Sequence, residues 1–256
     1  MSKSKTIVFT HGLFVNPTSW NNWKTYFENK GYTCYAPANP YHEGNPKDLR
    51  KNFSKNLADV GFEEVVTNVA KLIDTLPEKP IVIGHSLGGL TVMKLVELNK
   101  AVAGISIDGA APKNIIPPFQ TVKTMFPVIN FFKGNSVFET NKKWFHNAFC
   151  NLLTQEESDK VFDEIAVPES RNIPRHTLYK SFAKVNLKKP HNPLLFIGGE
   201  NDNIIPPSLT KKIAKSYKDK NSISDYKIFT KKSHYICGQD GWQEVADYVL
   251  NWLDKI

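Results

Sequence analysis

Six short, mostly apolar runs separated by stretches of helical periodicity leave few folds open to this chain. The runs are "TIVFT" (6–10), "YTCYA" (32–36), "IVIG" (81–84), "VAGISI" (102–107), "PLLFIG" (193–198) and "DYKIF" (225–229). Between the first two lies a helical stretch with Trp20, Trp23 and Phe27 that Gly31 stops. Residues 62–76 then place Val65, Val66, Val69, Leu72, Ile73 and Leu76 on one helical face. "LTVMKLVEL" follows the third run, a helix is expected over 207–218, and the last helix spaces Trp242, Val245, Ala246, Val249, Leu250 and Leu253 by three and four. Strands with no polar face, alternating with helices, imply an α/β fold: a mostly parallel central sheet with helices on both faces.

One segment breaks the alternation. From 112 to 185 there is no good strand run, yet 119–149 holds Phe119, Phe126, Phe131, Phe132, Phe138, Trp144, Phe145 and Phe149. A structureless loop of that length does not suit a compact domain. The expectation is a mainly helical cap over 112–185 on a core made of 1–111 and 186–256. Most of the cap's aromatics are expected to pack it onto the core, the rest to roof a pocket.

Composition narrows the function classes. The apolar share is 41% and the charged share 23%, ordinary globular usage. No apolar run reaches the roughly 18–20 residues a membrane helix needs, so no membrane insertion is expected. The apolar run after "MSKSK" is broken too soon for a signal peptide, which reads as a cytoplasmic protein. Cys34, Cys150 and Cys237 are odd in number and widely spaced, as free thiols in a reducing compartment would be. The formal charge is +8, but its lysine pairs are scattered and no arginine-rich arm accompanies them, so no nucleic acid is expected as partner.

The chemistry concentrates at "IVIGHSLGGLTV" (81–92). Gly-x-Ser-x-Gly alone is a weak signal. Here Gly84, Ser86 and Gly88 fall between a strand run and a helical run, the setting in which a serine is raised on a sharp turn. Such a turn is strained, and its neighbours two positions away must lack side chains for strand and helix to close up. Ser86 is therefore the candidate nucleophile. A serine hydroxyl needs a base, and the base an orienting acid. His234, in "KKSHYICG" between the last strand and last helix, is the candidate base. Asp202, in the turn "GGENDNIIPP" after "LLFI", is the candidate acid; Asp108, at the end of "GISID", is its rival and Glu200 a lesser one. Oxyanion donors are expected from the backbone amides of Leu87 and of Leu13 in "HGLF", with that of Phe14 second. His11 and His85 read mainly as loop-shaping residues. Phe14, His85, Phe119 and Phe126 are the candidates for lining a substrate pocket.

Four stretches, "FTHGLFVNPTSW", "IVIGHSLGG", "LLFIGGENDNIIPP" and "KSHYICGQDGWQEVADYVLNWL", together resemble the α/β-hydrolase superfamily, in particular its compact bacterial serine-esterase-like members with a helical cap. The likeness spans nearly everything outside 112–185. It implies nucleophile, acid, base and oxyanion roles for Ser86, Asp202, His234, Leu13 and Leu87, with no cofactor and no metal. Because "TIVFT" begins at residue 6, the antiparallel strands that open larger members are not expected, and a sheet of about six strands is. The expected function is hydrolysis of small to medium, apolar or aryl carboxylic esters by a monomer or homodimer. Two alternatives stay open: other chemistry on the same residues (lactonase, amidase, carbon–carbon bond hydrolase, hydroxynitrile lyase), and a ligand-binding receptor on a hydrolase scaffold.

Overall fold

A computed structural model describes residues 4–256; the basic start, Met1 to Lys3, lies outside the described residues. Strands β1 (Thr6–Thr10), β2 (Thr33–Tyr35), β3 (Ile81–His85) and β4 (Ala103–Ile107) come from the first part of the chain. Two residue pairs, β5 (Val137–Phe138) and β6 (Glu169–Ser170), form a separate antiparallel ladder. β7 (Leu194–Gly199) and β8 (Ser224–Phe229) complete the main sheet. Its order is β2-β1-β3-β4-β7-β8, and every neighbouring pair is parallel. Six strands in one direction match the expectation from the apolar runs.

The helices are α1 (Asn21–Glu28), α2 (Pro46–Lys51), α3 (Phe62–Asp74), α4 (Leu87–Glu97), α5 (Phe119–Ile129), α6 (Lys142–Ala148), α7 (Gln155–Ile165), α8 (Asn172–Tyr179), α9 (Pro207–Ser216) and α10 (Trp242–Leu253). α2 and the 3-10 turn at Lys55–Asp59 have no counterpart in the apolar pattern. α2 is set instead by its ends: Asn45 accepts a hydrogen bond from the Lys47 amide, and Pro46 sits at the first helical position.

Side chains alternate across the sheet and so build two cores. Ile7, Phe9, Ile81, Ile83, Leu195 and Ile197 face one way, where Trp20 of the 3-10 turn Pro17–Trp20, Trp23 and Phe27 of α1, and Val245, Val249 and Leu253 of α10 cover them. Val8, Val82, Leu194 and Phe196 face the other way, under Val65 and Val69 of α3, Leu90 of α4 and Ile213 of α9. Burial on both faces is why the central strands carry no polar alternation. Among the described residues no helix is long and apolar enough to cross a membrane. All three cysteines are buried and unpaired with one another.

The 112–185 segment contributes α5 to α8 and the β5–β6 ladder. Its aromatics of 119–149 divide evenly where most were expected to turn inward, and Trp144 packs against the core. Phe145, Phe149 and Phe138 are buried, but Phe119, Phe126, Phe131 and Phe132 are exposed. The reason is the face that α5 uses for anchoring. Thr121 and Thr124 donate to the carbonyls of Ile204 and Asn203 at 2.7 and 3.0 Å, and Met125 and Val128 point inward. Phe119 and Phe126 are left outside that contact face.

The strand order reverses between β1 and β3, and the loops after these two strands meet at the carboxyl edge of the sheet. Close approach there depends on two glycines. A β-carbon on Gly84 would collide with the Gly88 carbonyl, and one on Gly88 with the Thr10 carbonyl, both backbone groups that cannot swing aside. Gly84→Ala and Gly88→Ala are each expected to destabilise the protein by about 2–3 kcal/mol, read from urea unfolding midpoints. An unchanged midpoint would show that β1, β3 and α4 can separate without cost.

Candidate active site

Ser86 joins β3 to α4 with φ 56° and ψ −118°, a conformation that side-chain-bearing residues seldom hold and that costs on the order of 1–3 kcal/mol. The turn is pinned from both sides. The Ser86 amide donates to the Ile107 carbonyl at 2.9 Å, and the Ser86 carbonyl accepts from the amides of Gly89 and Ala110, each at 2.9 Å. Leu87 opens α4, so its amide belongs to the first turn, which has no partner within the helix and carries the positive end of the dipole.

His234 lies in the loop between β8 and α10. Its Nδ1–H donates to Oδ2 of Asp202 at 2.6 Å, with both side chains sealed from solvent. Asp202 is itself fixed, because Oδ1 accepts from the amides of Ile204 and Ile205 at 2.6 and 2.8 Å. The edge of the His234 ring meets Phe149, with centroids 4.9 Å apart. This leaves Nε2 of His234 buried and without a hydrogen-bond partner. An imidazole held by a carboxylate at one nitrogen and vacant at the other can accept a proton from a hydroxyl. Ser86 and His234 line the same cavity.

The third element is the "HGLF" loop after β1. Phe14 has φ 66°, so the loop is strained like the serine turn. Its support is buried. His11 is held neutral, its pKa lowered to about 3 by burial and then by His42. Its Nε2 accepts from the Asn39 amide at 3.0 Å, which leaves Nδ1–H to donate to the Gly12 carbonyl at 2.9 Å. The carboxyl group of Glu169, fully buried, accepts from the Ser170 amide at 2.8 Å and stands 3.5 Å from His42 Nε2.

The cavity above Ser86 has a volume of about 430 Å³. Leu13, Phe14, Leu87, Phe126, Phe149, Ile204, Ile205 and Met125 are among its lining residues, which include His234 but no Asp, Glu, Lys or Arg. Two sequence candidates lie elsewhere. Phe119 sits on the outer side of α5, 79% exposed. His85 is turned away: its Nε2–H donates to the His234 carbonyl at 2.8 Å, and burial, then the nearness of His234, holds its ring neutral. Glu200 is exposed and accepts weakly from the Lys231 amide at 3.3 Å. Phe149, Glu169 and His42 were missed, and no local motif marks them.

Asp108, the rival acid, is not remote. Its carboxyl oxygen lies within 4.8 Å of ring nitrogens of both His85 and His234. Oδ1 accepts from the Gly199 amide at 2.7 Å, while Oδ2 has no hydrogen-bond partner. Burial first, and the adjacent Asp202 carboxylate second, push its pKa well above the carboxylate range. The folded state therefore keeps a proton that the unfolded chain gives up above about pH 4, so this group removes stability as pH rises. Asparagine keeps the shape and the acceptor without that cost. Asp108→Asn is expected to raise the melting midpoint at pH 7 by at least about 2 °C, the gain shrinking toward pH 4. A lower midpoint at pH 7 would mean that the ionised form is the one the fold uses.

A sequence model described as "Alpha/beta hydrolase family" matches residues 7–248. No curated protein matches the chain. Solved structures with the same fold include a monoacylglycerol lipase from Paleococcus ferrophilus, 19% identical, TM-score 0.67, covering 97% of this chain and 93% of that one. A methylesterase from Arabidopsis is 12% identical with TM-score 0.68, covering 98% and 99%. Tomato methylketone synthase I, complexed with 2-tridecanone, is 17% identical with TM-score 0.67, covering 100% and 99%. With its all-parallel sheet, its serine turn between β3 and α4, and a family match over nearly its whole length, this chain belongs to the α/β hydrolase family.

Proposed function

We propose that the protein is a serine hydrolase of apolar carboxylic esters, and one observation carries this reading. The His234 imidazole is oriented by Asp202 at 2.6 Å and keeps its second nitrogen unbonded at a cavity that Ser86 lines. Ser86 Oγ attacks the ester carbonyl as its proton passes to His234 Nε2. The Leu13 and Leu87 amides stabilise the resulting oxyanion, a contribution worth about 10²–10³-fold for each donor. The tetrahedral intermediate expels the alkoxide, which takes the proton back from His234, and leaves an acyl-serine. Water, deprotonated by the same nitrogen, then attacks the acyl carbon, and the carboxylic acid departs as the proton returns to Ser86. Asp202 holds the ring in position and stabilises the imidazolium without taking the proton.

The cavity supports the apolar substrate class. Its wall is aliphatic and aromatic, so an apolar acyl or alkyl group gains by entering, while a charged one would lose its hydration unpaid. The 112–185 segment acts as the cap, with Phe126 from α5 closing over the pocket. The names of two neighbours, a methylesterase and a lipase, agree with ester chemistry. The third is named a synthase, so the fold leaves the reaction open and the site must decide it.

A panel of p-nitrophenyl esters with acyl chains of increasing length tests the reading. Turnover is expected to favour apolar acyl groups over charged ones and to fall at least about 10⁴-fold in Ser86→Ala and about as far in Asp202→Asn. Wild-type-like turnover in Ser86→Ala would refute the serine mechanism. Saturable binding with no turnover in the native chain would favour the receptor reading.

A further inference from the structure

Single exposed apolar side chains need no explanation, but a cluster at the mouth of a cavity does. Ile116, Phe119, Phe126, Phe131 and Phe132 are 78%, 79%, 63%, 57% and 99% exposed. Phe126, Phe131 and Phe132 also line the cavity of Ser86, so the apolar surface runs without a break from outside to inside.

The exposure is built in. Arg171 donates to the carbonyls of Pro127 and Val128 at 2.5 and 2.8 Å. Arg175 donates to those of Ile129 and Gly134 at 2.7 and 2.6 Å and to that of Asn130. Two guanidinium groups thus hold the turn that carries Phe131 and Phe132, and the rings are kept facing outward.

The segments that carry the patch are cationic, and acidic groups begin only at its edge, with Asp59 accepting from Asn135 and with Glu63 and Glu64 beside Lys180. Residues 113–134, 171–189 and 207–218 contain no Asp or Glu. Lys123 and Lys133 are exposed on the patch's own segment. Lys212 donates to the Ile116 carbonyl at 2.9 Å, Lys113 donates to the Tyr179 carbonyl, and Lys180 lies over the Tyr179 ring. Tyr179 in turn neighbours Phe131, ring centroids 6.4 Å apart.

We infer that this face adsorbs to anionic lipid surfaces, with the phenylalanine rings entering the headgroup–acyl boundary and the lysines meeting lipid phosphates. Protruding rings with a cationic rim suit an interface that offers hydrocarbon below and negative charge above. The protein lies on that surface rather than spanning it. Adsorption stands apart from the hydrolytic reading. Only its consequence, that esters pass from the lipid straight into the cavity, rests on that reading.

Co-sedimentation of the full chain with vesicles of phosphatidylglycerol and phosphatidylcholine, against phosphatidylcholine alone, tests the inference. Binding is expected to the anionic vesicles and to weaken at high salt. The double variant F119S/F132S is expected to lower the partition coefficient by at least about tenfold. K123Q/K133Q/K212Q is expected to abolish the preference for phosphatidylglycerol. Phe119, Phe132, Lys123 and Lys133 face water and the Lys212 bond to the Ile116 carbonyl lies at the surface, so an unchanged thermal midpoint is expected to accompany both losses. Ser86→Ala is expected to bind like the native chain, which separates adsorption from catalysis. The inference is overturned if the native chain stays in the supernatant, or if F119S/F132S sediments as well as it does. It is equally overturned if gel filtration shows a dimer that F132S dissociates while vesicles capture nothing, since the patch would then serve a second copy of this chain.

Discussion

The contact on which the site depends is the approach of β1, β3 and the start of α4, where backbone meets backbone because Gly84 and Gly88 carry no side chain. Three elements that close leave one way for the chain to turn between them, and Ser86 occupies it at φ 56°. The strain of that residue is met by the hydrogen bonds its own amide and carbonyl make with the β4 end of the sheet. The backbone beneath the Ser86 hydroxyl is fixed in this way, and the adjoining first turn of α4 supplies a positive field beside it.

Around that turn the protein invests buried polar groups, each with an assigned task. Asp202 spends one oxygen on two backbone amides and the other on His234. His85, neutral and buried, holds the His234 carbonyl. His11 braces the strained loop opposite Ser86, and Glu169 holds the Ser170 amide. Removing any of them would leave a buried partner unsatisfied, which is why the cost would fall on geometry as well as on stability.

The sheet was legible because strands covered on both faces cannot hide their apolar character, as "IVIG" and "LLFIG" illustrate. Ser86, Asp202 and His234 were legible as positions at strand ends, since glycines and a proline-stopped turn mark those ends. Their placement by itself does not state their roles. Other features left no trace in the pattern. Glu169 belongs to a two-residue strand, too short for any periodicity, and its neighbour His42 is distant in sequence. Asp108 and Asp202 read as alternatives, although the fold buries them side by side, which pushes the Asp108 carboxyl toward its neutral form. The aromatic cluster of 119–149 pointed to a cap with most of its rings packed onto the core, but aromatic content does not say which face of α5 anchors. The hydroxyls of Thr121 and Thr124 decide that, and they leave Phe119 and Phe126 outside.

That Ser86 is the activated nucleophile is the claim from which the chemistry follows, and a fluorophosphonate reports on it without knowledge of the substrate. Treatment of the native chain, followed by proteolysis and mass mapping, is expected to place one phosphonyl group on the peptide containing Ser86, with labelling lost in His234→Ala. An unlabelled chain, or a label carried by a different residue, would contradict it.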